Sequence, residues 1–377
     1  MLRRLIAVPS VSSVSPQFDQ GNRAVIDLLA SWLNDLGFRV EVQPLSHHPA
    51  KANLIATRGQ GPGGLVLAGH TDTVPYDEGR WRFDPFGGQI DDGRLYGLGA
   101  ADMKSFLALA IEAARGFEPR TLRRPVLILA TADEESTMQG ARQLVRAGWP
   151  LGRHAVIGEP TGLRPVRLHK GIAMEAIHVQ GQAGHSSNPA LGASALEGMY
   201  TVIGELLSWR RELQQRYCNP LFEVTVPTLN LGHIHGGDNP NRICGHCELH
   251  IDLRPLPGMP PLEELRTTLR ERLTRSLGDS LLGISFTSLF PGIEAMETPP
   301  TAAIVRAAEE LTGRPAGAVA FGTEGPYLNQ LGLETVILGP GEIAQAHQPD
   351  EFLALSSLEP TLTLLRQLIV RFCVHPD

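Results

Sequence analysis

Short apolar runs bounded by Gly or Pro, at residues 64–69, 125–130 and 155–158, constrain the fold of this chain more than any other feature. Runs of that length with such boundaries read as buried strands. Between them, residues 103–114 and 139–147 carry apolar positions at helical spacing, as do residues 24–36, where Gly37 supplies a stop. Strands alternating with helices predict an α/β sheet covered on both faces. The pattern changes after Gly171. Residues 172–179, 223–231 and 248–253 read as strands, and 193–213 and 262–277 as helices, which predicts a small α+β sandwich. From about Pro300 the α/β pattern returns, with a helix through Leu311, a strand at 335–338 and a last helix at 359–370. The expected division is therefore a domain built from 1–171 and 289–377, interrupted by an inserted domain at 172–288. Two cores also suit 377 residues, more than one core usually organises.

Composition narrows the function. A net charge of -7 without a basic block leaves no electrostatic footprint for nucleic acid. The apolar run after Arg3 and Arg4 is broken at Pro9, too soon for a secretory signal, and no segment approaches the roughly 20 apolar residues of a membrane span. A cytoplasmic protein with no membrane partner is expected. Cys244 and Cys247 form a Cys-Gly-His-Cys tetrapeptide, but it runs into an alternating strand pattern rather than a helix, and no second Cys pair completes a zinc ribbon. These cysteines are expected to be reduced and structural.

The chemistry-bearing residues fall at predicted strand ends, where open α/β sheets bind ligands. Leu67-Ala-Gly-His-Thr-Asp-Thr-Val-Pro places His70 and Asp72 on one side of an extended segment, so that the Asp72 carboxylate could accept the second imidazole N–H. Gly97-Leu-Gly-Ala-Ala-Asp-Met-Lys-Ser brings Asp102 to a helix start, where it could also be an N-cap. Thr131-Ala-Asp-Glu-Glu-Ser sets Glu134 beside Glu135, Ile157-Gly-Glu-Pro-Thr adds Glu159, and Gln345-Ala-His-Gln-Pro-Asp-Glu adds His347. Each piece alone admits a plain reading as a surface turn, a cap or a solvated acid.

Together, in this order, they resemble the M20 family of metal-dependent peptidases and deacylases across essentially the whole chain. The longer stretches Gly181-Gln-Ala-Gly-His-Ser-Ser-Asn-Pro-Ala, Thr228-Leu-Asn-Leu-Gly-His-Ile-His-Gly-Gly-Asp, Asn241-Arg-Ile-Cys and Leu338-Gly-Pro-Gly are similar to its deacylases that act on acetylated amino acids. The resemblance implies two divalent ions bridged by Asp102, one completed by His70 and Glu159 and the other by Glu135 and His347. It implies Glu134 as general base, Asp72 as the residue that orients His70, and a non-proline cis peptide between Asp102 and Met103. Nitrogen and oxygen donors without thiolate suit zinc first, and also cobalt or manganese. His185 is implied as a donor to the tetrahedral oxyanion, Asn241 and Arg254 as a grip on the substrate carboxylate, and Glu324 as a selector for a cationic substrate side chain, the alternatives for Glu324 being a helix cap or a part of the metal surroundings. His233 and His235 are expected to be loop residues. The implied partners are a small acylated amino acid and a second copy of the chain, paired through the inserted domain. The alternatives are another hydrolase on the same frame, such as a desuccinylase, an aminoacylase or a dipeptidase, and a non-catalytic binding protein.

Overall fold

A computed structural model describes residues 1–376 apart from 47, 150 and 279. The chain divides into two compact units, one comprising Met1–Arg167, Thr298–Gly317 and Thr323–Asp377, the other Leu168–Glu297 with Ala318–Gly322. These boundaries differ from 172 and 288. Met296–Glu297 pairs antiparallel with Leu168 and His169, and the second unit takes in both of these flanks of the middle block.

The first unit is a mixed α/β structure whose sheet runs in the order Arg39–Leu45, His48–Arg58, Val126–Thr131, Leu65–His70, His154–Pro160, Glu334–Gly339. The first two pairings are antiparallel. The next three are parallel, with Leu65 opposite Val126 and His154, and Glu334 opposite His154. Leu65–His70, Val126–Thr131 and His154–Pro160 are buried along their whole length, as parallel strands covered on both faces must be. Leu65, Leu67, Val126 and Ile128 pack into a core with Phe106, Leu107 and Ile111 of the helix Lys104–Arg115, Ile26 and Leu29 of Arg23–Asp35, and Leu365 and Leu368 of Leu358–Ile369. Gln139–Ala147 and Gly325–Gln330 contribute nothing to that cluster and pack on each other. The hairpin Arg39–Leu45 with His48–Arg58 was hidden in the sequence, because Pro49, Lys51 and Asn53 interrupt the apolar pattern.

The second unit is a four-stranded antiparallel sheet in the order Thr228–Gly236, His246–Arg254, Ala173–Gln180, Gly283–Ser288. Along His246–Arg254 the buried residues alternate, with Cys247, Leu249, Ile251 and Leu253 inward. They share a core with Val202, Leu206 and Trp209 of the helix Ala195–Arg216 and with Leu269 and Leu273 of Leu262–Leu277. Ser194 caps the first of these helices, its Oγ accepting from the Glu197 N–H. Thr228–Gly236 starts later and runs further than the pattern predicts, so His233 and His235 lie on a strand rather than in a loop. A register shift between Leu231 and His233 disrupts the alternation there, and polar side chains on the open face conceal the rest. All four cysteines are free, and burial pushes the Cys247 thiol up, which is opposite to what a reactive thiolate needs.

Gly158 tests the packing between sheet and helix. A Cβ there would lie 1.9 Å from Cγ of the Phe106 ring. Gly158→Ala is expected to lower the unfolding free energy by about 1–3 kcal/mol, the usual cost of overpacking. Adding Phe106→Leu should recover part of the loss in denaturant unfolding, and an unchanged midpoint in the single variant would contradict this packing.

Candidate metal centre

Three adjacent parallel strands end side by side, and each delivers an acid or an imidazole. His70 closes Leu65–His70, Glu159 lies near the end of His154–Pro160, and the turn after Val126–Thr131 carries Asp133, Glu134 and Glu135. Asp102 comes from the Gly-rich turn before Lys104–Arg115 and is followed by a cis peptide to Met103. It does not cap that helix, whose N-cap is Met103. His347 follows the short turn Ile343–Gln345, with φ of 59°, and Asp133 has the same φ. Two non-glycine residues in the left-handed region at one site are strained backbone held by their surroundings.

The side chains converge. His70 Nε2 lies 3.1 Å from Asp102 Oδ1 and 3.9 Å from Glu159 Oε1. His347 Nε2 lies 2.9 Å from Glu135 Oε1 and 3.5 Å from Asp102 Oδ2. Asp102 thus turns one oxygen to each histidine. Nitrogen and oxygen ligands about 2.0–2.1 Å from a tetrahedral zinc ion are about 3.3 Å apart. The separations in this cluster bracket that spacing, so the residues fit a pair of ions that share Asp102. Donor atoms of His70, Glu134 and Glu159 also lie within 4.8 Å of one another, which puts Glu134 at the edge of the same cluster.

Charge makes the same point. Burial pulls the His70 imidazole down, but the hydrogen bond to Asp102 and the carboxylates of Glu159, Glu134 and Asp72 raise it well above its ordinary value. His347, bonded to Asp102 and Glu135, is raised to about 10. Burial acts to raise Asp102, yet the two histidines bring it below the usual carboxylate range. Glu134 and Glu159 are pushed well up, by burial first and then by neighbouring carboxylates. This excess of buried negative charge is what divalent cations would neutralise.

The Asp72 carboxylate is not the acceptor for His70 Nδ1. The ring nitrogen is 3.0 Å from the Asp72 main-chain oxygen and 3.8 Å from Oδ1, while Oδ2 accepts from the Glu135 N–H at 3.0 Å. Donation to that carbonyl still leaves the Nε2 lone pair facing Asp102 and Glu159. Burial raises the Asp72 carboxyl to about 6.

Sequence reasoning missed the residues that hold the cluster. Glu351 accepts N–H bonds from Gly99, Ala101 and Asp102 at 3.0, 2.7 and 3.0 Å, fixing the turn that presents Asp102. Lys51, buried, donates to Asp19 at 2.7 Å and to Asp133 at 2.6 Å, and Ser12 donates to Asp133 at 2.8 Å. Asn53 accepts from the Ala132 N–H and donates to the Gly140 carbonyl, clamping the two ends of the turn that bears Glu134 and Glu135. Glu351 was visible in its motif as an acid after Asp350. Lys51 and Asn53 carried no signal.

The remaining candidates are placed as follows. Glu324 is 1% exposed, stands at the N-cap of Gly325–Gln330 without a side-chain capping bond, bonds to Thr131 and is raised to about 7 by burial. It interacts with His70 and Asp72 electrostatically, so its position favours a part in the metal surroundings over an open selector of substrate charge. His185 belongs to the second unit and is exposed. Its Nδ1 accepts from the Ser187 N–H at 3.2 Å and contacts Ser187 Oγ at 2.7 Å, which puts the proton of the neutral ring on Nε2. The neighbouring Asn241 is exposed and its carbonyl accepts from the Ser186 N–H. Arg254 ends the strand His246–Arg254, and its Nε donates to both Asp252 oxygens at 3.0 Å.

Residues 66–371 match the model of peptidase family M20/M25/M40. The chain belongs to that family. Acetylornithine deacetylase of Edwardsiella ictaluri is 51% identical over 373 residues, covering 99% of this chain and 97% of that protein. The protein of the same name from Pectobacterium carotovorum is 48% identical over 375 residues, covering 100% and 97%. Among solved structures, the Bacillus subtilis YXEP protein, described as a dinuclear metal binding peptidase from the M20 family, superposes with a TM-score of 0.68 at 16% identity, covering 98% of this chain and 96% of that one. The fold of the chain is thus an M20 fold. Among the described residues, no helix is long and apolar enough to cross a membrane.

Lys51 offers a test of the scaffold under the M20 cluster. Lys51→Met would leave Asp19 and Asp133 without their shared cation, and breaking a buried pair in this way costs about 3–5 kcal/mol. The variant is expected to unfold at lower denaturant and to lose metal faster to a chelator, and Asp133→Asn in the same chain should restore part of the stability. Unchanged unfolding and metal retention would remove Lys51 from this role.

Proposed function

We propose that the chain hydrolyses the amide bond of N2-acetyl-L-ornithine, giving L-ornithine and acetate, as a metal-dependent step of arginine biosynthesis. One observation carries the proposal: a buried carboxylate shared between two histidines occurs in a chain 51% identical, along its length, to an acetylornithine deacetylase. Asp102 would be shared between two ions, with His70 and Glu159 as the further ligands of one and Glu135 and His347 of the other. Zinc suits these donors, and cobalt is an acceptable substitute.

When bound, two such ions polarise the amide carbonyl and bring the pKa of water from 15.7 to about 7. The protein supplies the proton path. Glu134, buried at the edge of the cluster, takes a proton from the attacking water and returns it to the leaving amine, one carboxylate serving both steps. Asp72 orients His70 through its main-chain carbonyl and holds the Glu135 backbone through its side chain. His185, with its proton on Nε2, is the proposed donor to the oxyanion. Asn241 and Arg254 are the proposed grip on the substrate carboxylate, Arg254 while paired with Asp252. The working form is a cytoplasmic homodimer joined through the second unit, a reading supported by Tyr200 and Leu196, exposed on the helix Ala195–Arg216.

Glu134→Gln is expected to keep both ions by elemental analysis while losing about 10²–10⁴-fold in turnover. Near-normal turnover would exclude Glu134 as the proton carrier. A panel of acetylornithine, acetylmethionine, succinyl-diaminopimelate and dipeptides is expected to give the highest kcat/KM with acetylornithine. A higher value for any of the others would reassign the substrate.

Glu324→Gln is expected to lower kcat/KM on acetylornithine and acetylmethionine alike, by about tenfold each, equivalent to about 1.4 kcal/mol. A loss confined to acetylornithine would instead make Glu324 a selector of substrate charge.

A further inference from the structure

The open face of the second unit's sheet gathers five histidines around one glutamate. On His246–Arg254 the odd-numbered residues 247–253 point into the core, which turns His246, Glu248 and His250 to the opposite face. In the antiparallel registers Glu248 stands opposite His178 on one neighbouring strand and His235 on the other, and His250 stands opposite His233. Glu248 Oε2 lies 3.3 Å from His178 Nδ1, and Oε1 contacts His250 Nε2. The rings of His178 and His246 are 6.0 Å apart and those of His233 and His250 are 4.7 Å apart. Ligand atoms of His178, His246 and Glu248 lie within 4.8 Å of one another, and so do those of His233, Glu248 and His250. The two triads share only Glu248.

We propose that this face binds late first-row divalent cations, of the zinc and copper class, with Glu248 as the common ligand of the pairs His178/His246 and His233/His250. The donor set decides the class of ion. Imidazole nitrogens with one carboxylate suit zinc and copper, whereas calcium and magnesium require mostly oxygen ligands. Three protein ligands per ion leave a position for water. The strands hold the imidazoles and the Glu248 carboxylate in register before any ion arrives. The side chains of His178, Glu248 and His250 are 25%, 29% and 31% exposed, open enough for an ion to enter. Cys247 points to the other face and takes no part. An ion at either triad would tie His246–Arg254 to one neighbouring strand, Ala173–Gln180 through His178 or Thr228–Gly236 through His233, beyond the backbone ladders and the core beneath.

The test compares the full chain, loaded with zinc at its catalytic centre, with the variant His178→Ala/Glu248→Gln/His250→Ala. Equilibrium dialysis against micromolar free zinc, followed by elemental analysis, is expected to give at least one more ion per chain in the parent than in the variant, with unchanged hydrolysis. Equal zinc content in the two chains would overturn the proposal, whatever amount the catalytic centre holds. Copper added to the zinc-loaded parent supplies a measurement that needs no variant. Its electron paramagnetic resonance spectrum is expected to show nitrogen coupling from imidazoles, and a spectrum of hydrated copper alone would also overturn the site.

Discussion

The two oxygens of Asp102 are divided between His70 and His347, and most of the first unit is arranged so that this division can persist. A carboxylate in that position is buried, faces two imidazoles and has Glu159, Glu135 and Glu134 around it. Such a concentration of like charge in a low-dielectric setting is unfavourable by itself. Contacts from distant side chains hold in place the backbone that carries it. Glu351 draws three N–H groups of the Asp102 turn onto its own carboxylate, and Lys51 with Ser12 anchors Asp133, one residue before Glu134 and Glu135. The left-handed backbone at Asp133 and His347 survives because these contacts over-determine it.

The parallel pairing of Leu65–His70, Val126–Thr131 and His154–Pro160 does the placing. In-register parallel strands bring their carboxyl ends to one edge, so residues far apart in sequence need only follow their strands to meet. This explains why the chemistry was legible. His70, Glu134, Glu135 and Glu159 each stand at the end of an apolar run, and strand ends can be read from a sequence. His347 and Asp102 lie in irregular turns, and only the resemblance to the M20 family singled them out.

What was not legible has a common cause. The Glu351 bond to Ala101 spans 250 residues and the Lys51 bond to Asp133 spans 82, and neither partner leaves a local periodic signal. The Asp72 contact differs from the expectation because a carboxylate and its own main-chain carbonyl compete for the same imidazole, and a sequence does not show which of them lies nearer. In the second unit, the strand Thr228–Gly236 escaped notice over its last residues because histidines on an open face look like a polar loop.

The separation between Asp102 and Glu351 also bears on how the protein is made. Synthesis proceeds from the amino terminus, and early segments can collapse before late ones exist. Helices and the hairpin Arg39–Leu45 with His48–Arg58 are local and can form while the chain is emerging. The metal cluster cannot. Its Asp102 turn is held by an acid at position 351, and its second histidine is at 347, so the edge that gathers these side chains stays incomplete until residue 351 has left the ribosome. A chain interrupted before residue 347 would carry His70, Asp102 and Glu159 without the contacts that His347 and Glu351 supply.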